Sequence, residues 1–439
     1  MSASKWMSSL RNSFLFRLGV FFLGLSLGSA ALPSTSAVRK WTFPEGKEVQ
    51  ASLVSGDQAS AVFRLANGQQ VTVAVADLSS EDQGFVREWI DSQPIVMPAA
   101  VGVDGNKVAV EIVQEDDAKG QYVYRTEHFE FTSEGKLTQN LLRDIARNFE
   151  ATYELVKALP WGINPKPESG DRFRALLVRS RARYEEEGGP KGSGGVYFGS
   201  RNLFVIPFDS LGIREMGKSF TKNSDYNSDT LVHELTHQMM HAWLEILPQW
   251  VVEGTAEYTN VLPLRLGVFR LASAKSGLRD YMDSLKRRGG VPEPYPLEDL
   301  FWMTNEKWNG ILGTDPKEAH RLYLTSYLLV YFFMHLDPPG DGSPFVRYLR
   351  AVAKQKEEVD AYFAEVEAFK RLPGVELLPD GRYRWPSGLK HPEEPEILAS
   401  KAKRDQFEKE TLGILLNGRS GEQLIDDIRS AYRKLGIRL

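Results

Sequence analysis

Two histidines four residues apart are the feature of this 439-residue sequence best suited to chemistry. His233 and His237 enclose Glu234 in the run His-Glu-Leu-Thr-His. On an α-helix, residues four apart lie almost above one another, so both imidazoles can converge on one metal ion. Glu234 adjoins the first histidine, where its carboxylate can take a proton from a metal-bound water. The run therefore predicts a metal site that activates water.

A catalytic zinc site needs three protein ligands and one open position, so two histidines do not complete it. Pro248 lacks an N–H and is predicted to end the first helix. The chain then restarts as Trp-Val-Val-Glu-Gly-Thr-Ala-Glu-Tyr, a second helix that can pack antiparallel to the first. Glu253 in this helix is the predicted third ligand. Glu257, one turn later, is predicted to accept the free N–H of a ligand histidine.

The two segments together resemble a known family. HELTH followed by WVVEGTAEY is similar to the gluzincin-type (peptidase MA-like) HExxH metallopeptidases, whose first helix is completed by a glutamate in a W-x-x-E-G-x-A-E-Y helix. The resemblance implies one zinc ion per chain, held by His233, His237 and Glu253. It also implies that Glu234 is the general base.

Three nearby positions argue against other ligand sets. The metzincin pattern HExxHxxGxxH is not met, because Met240 holds its glycine position and Trp243 holds its last histidine position. His241 follows His237 by four residues, but ligands at i, i+4 and i+8 of a straight helix span about 12 Å, too far to share one ion. His241 is therefore interpreted as a core histidine or as a partner of a ligand.

A later apolar segment carries the candidates for stabilising an oxyanion. Residues 321–336 (RLYLTSYLLVYFFMHL) predict a buried helix and resemble the Y-x-x-S-Y segment that follows the zinc helices in many gluzincins. Tyr323 and Tyr327 lie one turn apart on one face of this helix, so either phenol could point at the metal. Aromatic side chains in such a helix can equally serve core packing alone. Tyr323 is the preferred candidate and Tyr327 the alternative.

Composition narrows the classes of partner. The formal charge is −4 and no basic stripe is interleaved with aromatic residues, which argues against a nucleic-acid partner. The chain contains no cysteine, which excludes thiolate metal ligands and disulfides. The expected partners are instead a peptide or protein substrate at the metal site.

The N-terminus is typical of a secretory signal peptide. Three basic residues precede the apolar run at 18–27, and small residues around Ala30 and Ala31 offer a cleavage point. The apolar run is shorter than a membrane-spanning helix requires. Residues 1–31 are therefore predicted to direct export to the periplasm or the extracellular space, leaving no stable membrane span after cleavage. An uncleaved membrane anchor is the alternative.

A compact strand-rich unit is predicted at residues 38–94. Two of its strands flank Asn67-Gly68, a strong hairpin signal, and Ser79 begins a short helix. The run RKWT, the hairpin and the ending LSSEDQGFVREW resemble the small SHD-type (Sla homology) β-barrel, which is SH3-like. The resemblance implies a module that binds a peptide or protein ligand, and a spacer or docking unit is the alternative.

The rest of the chain is predicted to be an α+β metallopeptidase domain with a zincin-like fold, mostly helical with a small mixed sheet. Its bounds are 119–372, after a linker at 95–118 and before a C-terminal helical extension at 373–439 docked on it. A strand is expected from Tyr122 to Phe131. One of the strands near residues 196–206 could pair with substrate backbone, with plain sheet structure as the alternative.

The predicted function is hydrolysis of peptide bonds by an exported zinc endopeptidase in which Glu234 acts as general base. Two alternatives stay open. The chain could be a zinc-binding protein without turnover, or an envelope adaptor that acts through its N-terminal barrel. Metal content separates the adaptor from both zinc hypotheses, and peptide turnover separates the enzyme from the silent zinc protein.

Overall fold

The protein is described by a computed structural model covering residues 35–43, 46–56, 60–217, 219–223, 230–378 and 383–439. It is a mixed α/β structure with a small antiparallel sheet at its N-terminal end. The predicted signal peptide at 1–31 lies outside the described residues. None of the helices formed by the described residues combines the length and apolarity needed to cross a membrane.

The strands and helices alternate irregularly along the chain. The strands are β1 (Arg39–Phe43), β2 (Lys47–Gly56), β3 (Ser60–Leu65), β4 (Gln70–Ala74), β5 (Val101–Gly102), β6 (Glu111–Asp116), β7 (Gln121–Arg125), β8 (Phe129–Ser133), β9 (Phe173–Val178), β10 (Val196–Phe198), β11 (Leu203–Pro207), β12 (Ile213–Met216), β13 (Ser219–Lys222), β14 (Leu264–Arg265), β15 (Val268–Phe269), β16 (Glu376–Leu377) and β17 (Tyr383–Arg384). The α-helices are α1 (Ser80–Ser92), α2 (Gln139–Ala158), α3 (Arg181–Glu186), α4 (Leu231–Met239), α5 (Gln249–Val261), α6 (Ala274–Arg287), α7 (Leu297–Phe301), α8 (Asn305–Thr314), α9 (Pro316–His335), α10 (Ser343–Lys370), α11 (Glu396–Ala399), α12 (Lys401–Leu416) and α13 (Gly421–Lys434).

The N-terminal unit is a four-stranded antiparallel sheet covered by α1. Its strands follow the order β1-β2-β3-β4, and the predicted hairpin at Asn67-Gly68 is confirmed because β3 and β4 pair across it. Trp41 and Phe63 are fully buried with ring centroids 4.6 Å apart, and they anchor a core separate from the main one. The N-cap Ser79 accepts a hydrogen bond from the backbone of Asp82, as the sequence predicts for the start of α1.

A six-stranded mixed sheet forms the framework of the larger unit. Its order is β10-β11-β9-β8-β7-β6, so β10 lies at one edge and β6 at the other. The strand predicted from Tyr122 to Phe131 is in fact two antiparallel strands, β7 and β8. The chain turns between them because Thr126 pairs with Phe129 and the carboxylate of Glu150 binds the backbone of His128. The amphipathic helix α2 packs its apolar face on this sheet.

The segment predicted as a linker at 95–118 is instead built into the larger unit. It contains β5, which pairs with β15, and β6, the edge strand of the six-stranded sheet. Val103 donates its backbone N–H to Gly267, and Val101 and Val103 pack against the main core. Paired backbone and buried valines are features of a folded element rather than of a linker. The boundary of the larger unit therefore lies before β5.

Helix α5, which carries the two glutamates, packs against both α9 and the histidine-bearing helix α4. Helix α4 ends at Met239, well before Pro248, and Pro248 is the N-cap residue of α5. Gly254 lets α5 approach α9 closely, because a Cβ at this position would lie 2.5 Å from the carbonyl oxygen of Ser326. The Thr236 and Thr259 hydroxyls meet at 2.7 Å and join α4 to α5.

The C-terminal helices are docked on α9. Leu424, Ile428 and Tyr432 of α13 belong to the main core, and the Tyr432 hydroxyl donates to the Leu328 carbonyl at 2.7 Å. Arg419, between α12 and α13, binds both carboxylate oxygens of Asp337 at 2.7 and 3.0 Å just after α9.

Candidate metal centre

Helices α4 and α5 bring three predicted ligands together. Nε2 of His233 and Nε2 of His237 lie 3.0 Å apart on successive turns of α4. Oε2 of Glu253, from the second turn of α5, lies 3.2 Å from the first of these nitrogens and 3.3 Å from the second. One nitrogen or oxygen atom from each residue thus points at a common position.

The spacing of these atoms fits a zinc ion. Ligand atoms that bind tetrahedral zinc at about 2.0–2.1 Å lie about 3.3–3.4 Å from one another, close to the observed separations. Oε2 of Glu253 is buried and has no hydrogen-bond partner among the described residues, although two imidazole nitrogens are near it. Two imidazoles and one carboxylate are a donor set found in catalytic zinc sites. The residues present therefore fit the ion that the sequence predicts.

Glu257 occupies the predicted position behind a ligand. Its Oε1 lies 3.2 Å from Nδ1 of His233, on the side of the ring opposite Glu253. An Nδ1–H directed at a carboxylate fixes the tautomer that leaves the Nε2 lone pair free for a metal. Glu257 is thus placed to orient His233.

Burial and charge act in opposite directions on this cluster. Burial raises the pKa of Glu253, but the two neighbouring imidazoles outweigh it, and the net pKa is well below the usual range. Burial lowers the pKa of His233, but the carboxylates of Glu253 and Glu257 outweigh it, and the net pKa is raised. The Glu253 carboxylate therefore remains ionised at neutral pH. Its negative charge favours a cation at this position.

Glu234 lies beside the ligands on α4 and does not belong to the converging set. Its Oε2 accepts a hydrogen bond of 3.1 Å from the backbone N–H of Tyr197 in β10. Burial is the largest influence on this carboxyl group and raises its pKa above the usual range. A carboxylate of raised pKa is a better proton acceptor near neutral pH.

The two candidate tyrosines occupy different environments. The ring of Tyr323 lies 6.1 Å from the ring of His233. Burial raises the pKa of Tyr323, and the carboxylates of the metal cluster raise it further, so its phenol stays protonated and able to donate. Tyr327 is buried against Tyr281 and Tyr331, with ring centroids 5.3 and 6.1 Å away. The structure thus places Tyr323, and not the alternative, next to the cluster.

The sequence predicts a strand at residues 196–198, and the structure confirms it as β10, but sequence reasoning missed its contact with Glu234. Tyr197 of β10 contacts α4 through its backbone and contacts His241 through its phenol, at 2.7 Å from Nδ1. Nε2 of His241 is paired with the carboxylate of Glu168. These contacts make His241 a partner of Tyr197 and Glu168 rather than of a predicted ligand, and no spacing in the sequence links the three residues.

The glycine-rich stretch at residues 188–195, just before β10, lies against the start of α4. A Cβ on Gly194 would lie 2.3 Å from the hydroxyl of Thr230, the N-cap residue of α4. A side chain at this position would therefore displace either the loop or the start of the helix. The close approach to Thr230 explains the glycine at position 194.

No protein-family model matches this chain, and no curated protein matches its sequence.

Proposed function

We propose that this chain is an exported zinc-dependent peptidase, with His233, His237 and Glu253 as ligands and Glu234 as general base. The observation that carries the proposal is the convergence of three ligand atoms at 3.0–3.3 Å from one another, with a further carboxylate adjoining the first ligand. A structural zinc site has no need of that further carboxylate, whereas hydrolysis requires a proton acceptor.

The proposed chemistry divides the work among the side chains. Bound zinc would lower the pKa of a coordinated water to about 7 and polarise the scissile carbonyl. Glu234 accepts the proton of the attacking water and passes it to the leaving amine. Tyr323 donates its phenolic hydrogen to the developing oxyanion. Its ring lies on the His233 side of the cluster, which supports this role.

The same proposal assigns roles to the rest of the chain. The larger unit would be a zincin-like domain, supported by a mixed sheet that packs against α4, which in turn packs against α5. The four-stranded N-terminal unit would be an SH3-like barrel that binds a peptide or protein ligand. Residues 1–31 would direct export. The proposal for the zinc site does not depend on the barrel or on the export segment.

Metal analysis of the purified protein tests the first part. We expect about one zinc per chain, and loss of zinc in His233→Ala, His237→Ala and Glu253→Ala. His241→Gln is the matched control, since it changes a histidine near α4 that is not a proposed ligand, and it should keep its zinc. Full zinc occupancy in Glu253→Ala would overturn the ligand assignment.

Hydrolysis of a mixed peptide library tests the second part. Glu234→Gln keeps the size of the side chain but removes the proton acceptor, so we expect normal zinc content and at least ~10²-fold slower hydrolysis. Equal rates in the two proteins would show that the hydrolysis arises elsewhere. Zinc without hydrolysis in the wild type would favour the catalytically silent zinc protein. Absence of zinc would favour the adaptor.

A further inference from the structure

Tyr197 joins β10 to the metal-binding helix at two points. Its backbone N–H donates to Oε2 of Glu234 at 3.1 Å. Its phenol oxygen lies 2.7 Å from Nδ1 of His241, in the turn that follows α4. The two contacts therefore fix the position of Tyr197 relative to α4.

His241 is itself held in place from the other side. Its Nε2 pairs with the carboxylate of Glu168, in the loop before β9. With Nε2–H donating to this carboxylate, Nδ1 of the neutral ring is an acceptor for the Tyr197 phenol. The phenol oxygen lies 2.7 Å from this nitrogen and 3.2 Å from Oδ1 of Asn202, so the shorter contact is assigned the hydroxyl hydrogen. The ring also packs on Gly199 at the end of β10, since a Cβ there would lie 3.4 Å from Cε1 of His241. We call these three residues the Glu168–His241–Tyr197 chain.

Strand β10 needs such support because its own pairing is slight. It has three residues, lies at the edge of the six-stranded sheet and, among the described strands, pairs only with β11. In an antiparallel pair, alternate residues direct their N–H groups away from the partner strand. Tyr197 is such a residue, and its outward N–H is the group that holds Glu234. A shift of β10 would therefore move the hydrogen bond that orients this carboxylate.

We propose that Glu168, His241 and the phenol of Tyr197 are positioning residues, which hold β10 so that its backbone keeps the Glu234 carboxylate in a productive orientation. This inference rests on the proposed function of Glu234. It differs from simple packing because Tyr197→Phe removes one hydroxyl and leaves the ring, the strand and the N–H in place. Loss of position should slow the chemical step without weakening substrate binding.

Steady-state kinetics of Tyr197→Phe test the proposal. We expect kcat to fall about 10-fold to 100-fold, with KM, zinc content and thermal midpoint close to wild type. Tyr122→Phe is the matched control, because it also removes a tyrosine hydroxyl that donates a hydrogen bond, to Asp117, in the same sheet. It should leave kcat unchanged. An unchanged kcat in Tyr197→Phe would overturn the proposal.

Combining two substitutions tests whether Glu168, His241 and Tyr197 act as one connected unit. His241→Gln and Tyr197→Phe break the same connection, so combining them should slow turnover no more than the stronger single change does. Independent, multiplying effects would contradict a common role. Glu168→Gln keeps a hydrogen-bond acceptor for Nε2–H and should retain more activity than Glu168→Ala.

Amide hydrogen exchange of the zinc-loaded protein gives a result that does not depend on turnover. Exchange in residues 195–199 should be faster in Tyr197→Phe than in the wild type, because β10 is held less firmly. If the wild type hydrolyses no peptide, the proposed function fails, and this measurement still decides the inference. Faster exchange supports the role of the Glu168–His241–Tyr197 chain in holding β10, and unchanged exchange overturns it.

Discussion

Nδ1 of His233 lies 3.2 Å from Oε1 of Glu257, while Nε2 of the same ring faces Oε2 of Glu253. The two carboxylates stand one turn apart on α5, so one helix face serves both nitrogens of one imidazole. His237 lacks this support, since its Nδ1 is buried without a hydrogen-bond partner in the part of the chain that the structure describes. The two histidine ligands therefore depend on their surroundings to different degrees.

Glu257→Ala is expected to weaken zinc binding about 10–100-fold, because His233 loses the acceptor that fixes its tautomer. Glu257→Gln keeps a neutral hydrogen-bond acceptor and should weaken zinc binding less. The measurement is competition for zinc with a chromophoric chelator. Glu245→Ala removes an exposed glutamate between the two helices and serves as control. Wild-type zinc affinity in Glu257→Ala would contradict this role.

Gly254→Ala is expected to destabilise the protein by roughly 1–3 kcal/mol, as overpacking does. The added Cβ would lie 2.5 Å from the Ser326 carbonyl oxygen and 2.8 Å from Cγ2 of Val330. Alanine has the better helix propensity by about 1 kcal/mol, but backbone contact at such a distance must be relieved by moving α5 away from α9. Because Glu253 is the adjacent residue, zinc affinity should fall as well.

Gly310→Ala provides the matched control for that change. Gly310 is also inside a helix, α8, but a Cβ there meets no atom within 4 Å. Helix propensity alone should then make Gly310→Ala neutral or stabilising by up to about 1 kcal/mol. Chemical denaturation of both variants is the measurement. Equal effects of the two substitutions would show that close packing at Gly254 contributes nothing.

Helices α4 and α5 were predictable from sequence because the residue patterns that define them are local. The i, i+4 spacing of His233 and His237, and of Glu253 and Glu257, places each pair on one helix face. Their packing against each other follows from a short connection and two apolar faces. The end of α4 was not predictable in the same way, because Pro248 marks only the latest point at which a helix can stop. The chain leaves the helix earlier, and its His241 side chain is held by Glu168.

The missed features depend on residues far apart in the chain. Strand β5 has two residues and exists only because β15 lies beside it, so its own composition gives no strand pattern. Tyr197 reaches Glu234 through its backbone N–H, which every residue except proline possesses. No residue type marks such a contact. The arrangement could be found only once the fold had placed β10 next to α4.

Acid should lower the free energy of unfolding, in part through protonation of Glu150. Burial raises the pKa of this carboxyl, but hydrogen bonds from His128 and Thr126 outweigh it, and the net pKa is lowered. In the unfolded chain the Glu150 carboxyl has a pKa of about 4.3, so it binds protons more readily there than in the folded protein. The stabilisation is present above about pH 4.3 and is lost as the pH falls through the lower, folded-state pKa.

Glu150→Gln should therefore be less stable than wild type at neutral pH and should lose less free energy of unfolding between about pH 5 and 3. Denaturation at a series of pH values measures both effects. Glu154→Gln, one turn along the same helix, is the control and should keep the wild-type pH dependence. The same pH slope in Glu150→Gln and wild type would contradict the assignment.

The start of the larger unit can be located with two shortened chains. A chain beginning at Ile95 keeps β5, its pairing with β15 and the bond from the Ala272 N–H to the Ala99 carbonyl. We expect it to unfold cooperatively and to bind zinc, because the N-terminal unit has a core of its own. One ion pair between the two units, Arg87 with Glu357 at 3.4 Å, is exposed and contributes little to stability.

A chain beginning at Gly105 removes β5 and the packing of Val101 and Val103. The backbone groups of β15 then lose their partners on one side, and part of the apolar surface of the main core is exposed to water. We expect a clearly lower thermal midpoint than for the chain beginning at Ile95, measured by circular dichroism with zinc present. Equal midpoints would show that β5 adds no stability. Failure of the Ile95 chain to fold, while the full chain does, would show that the N-terminal sheet and the metal centre share one folding unit.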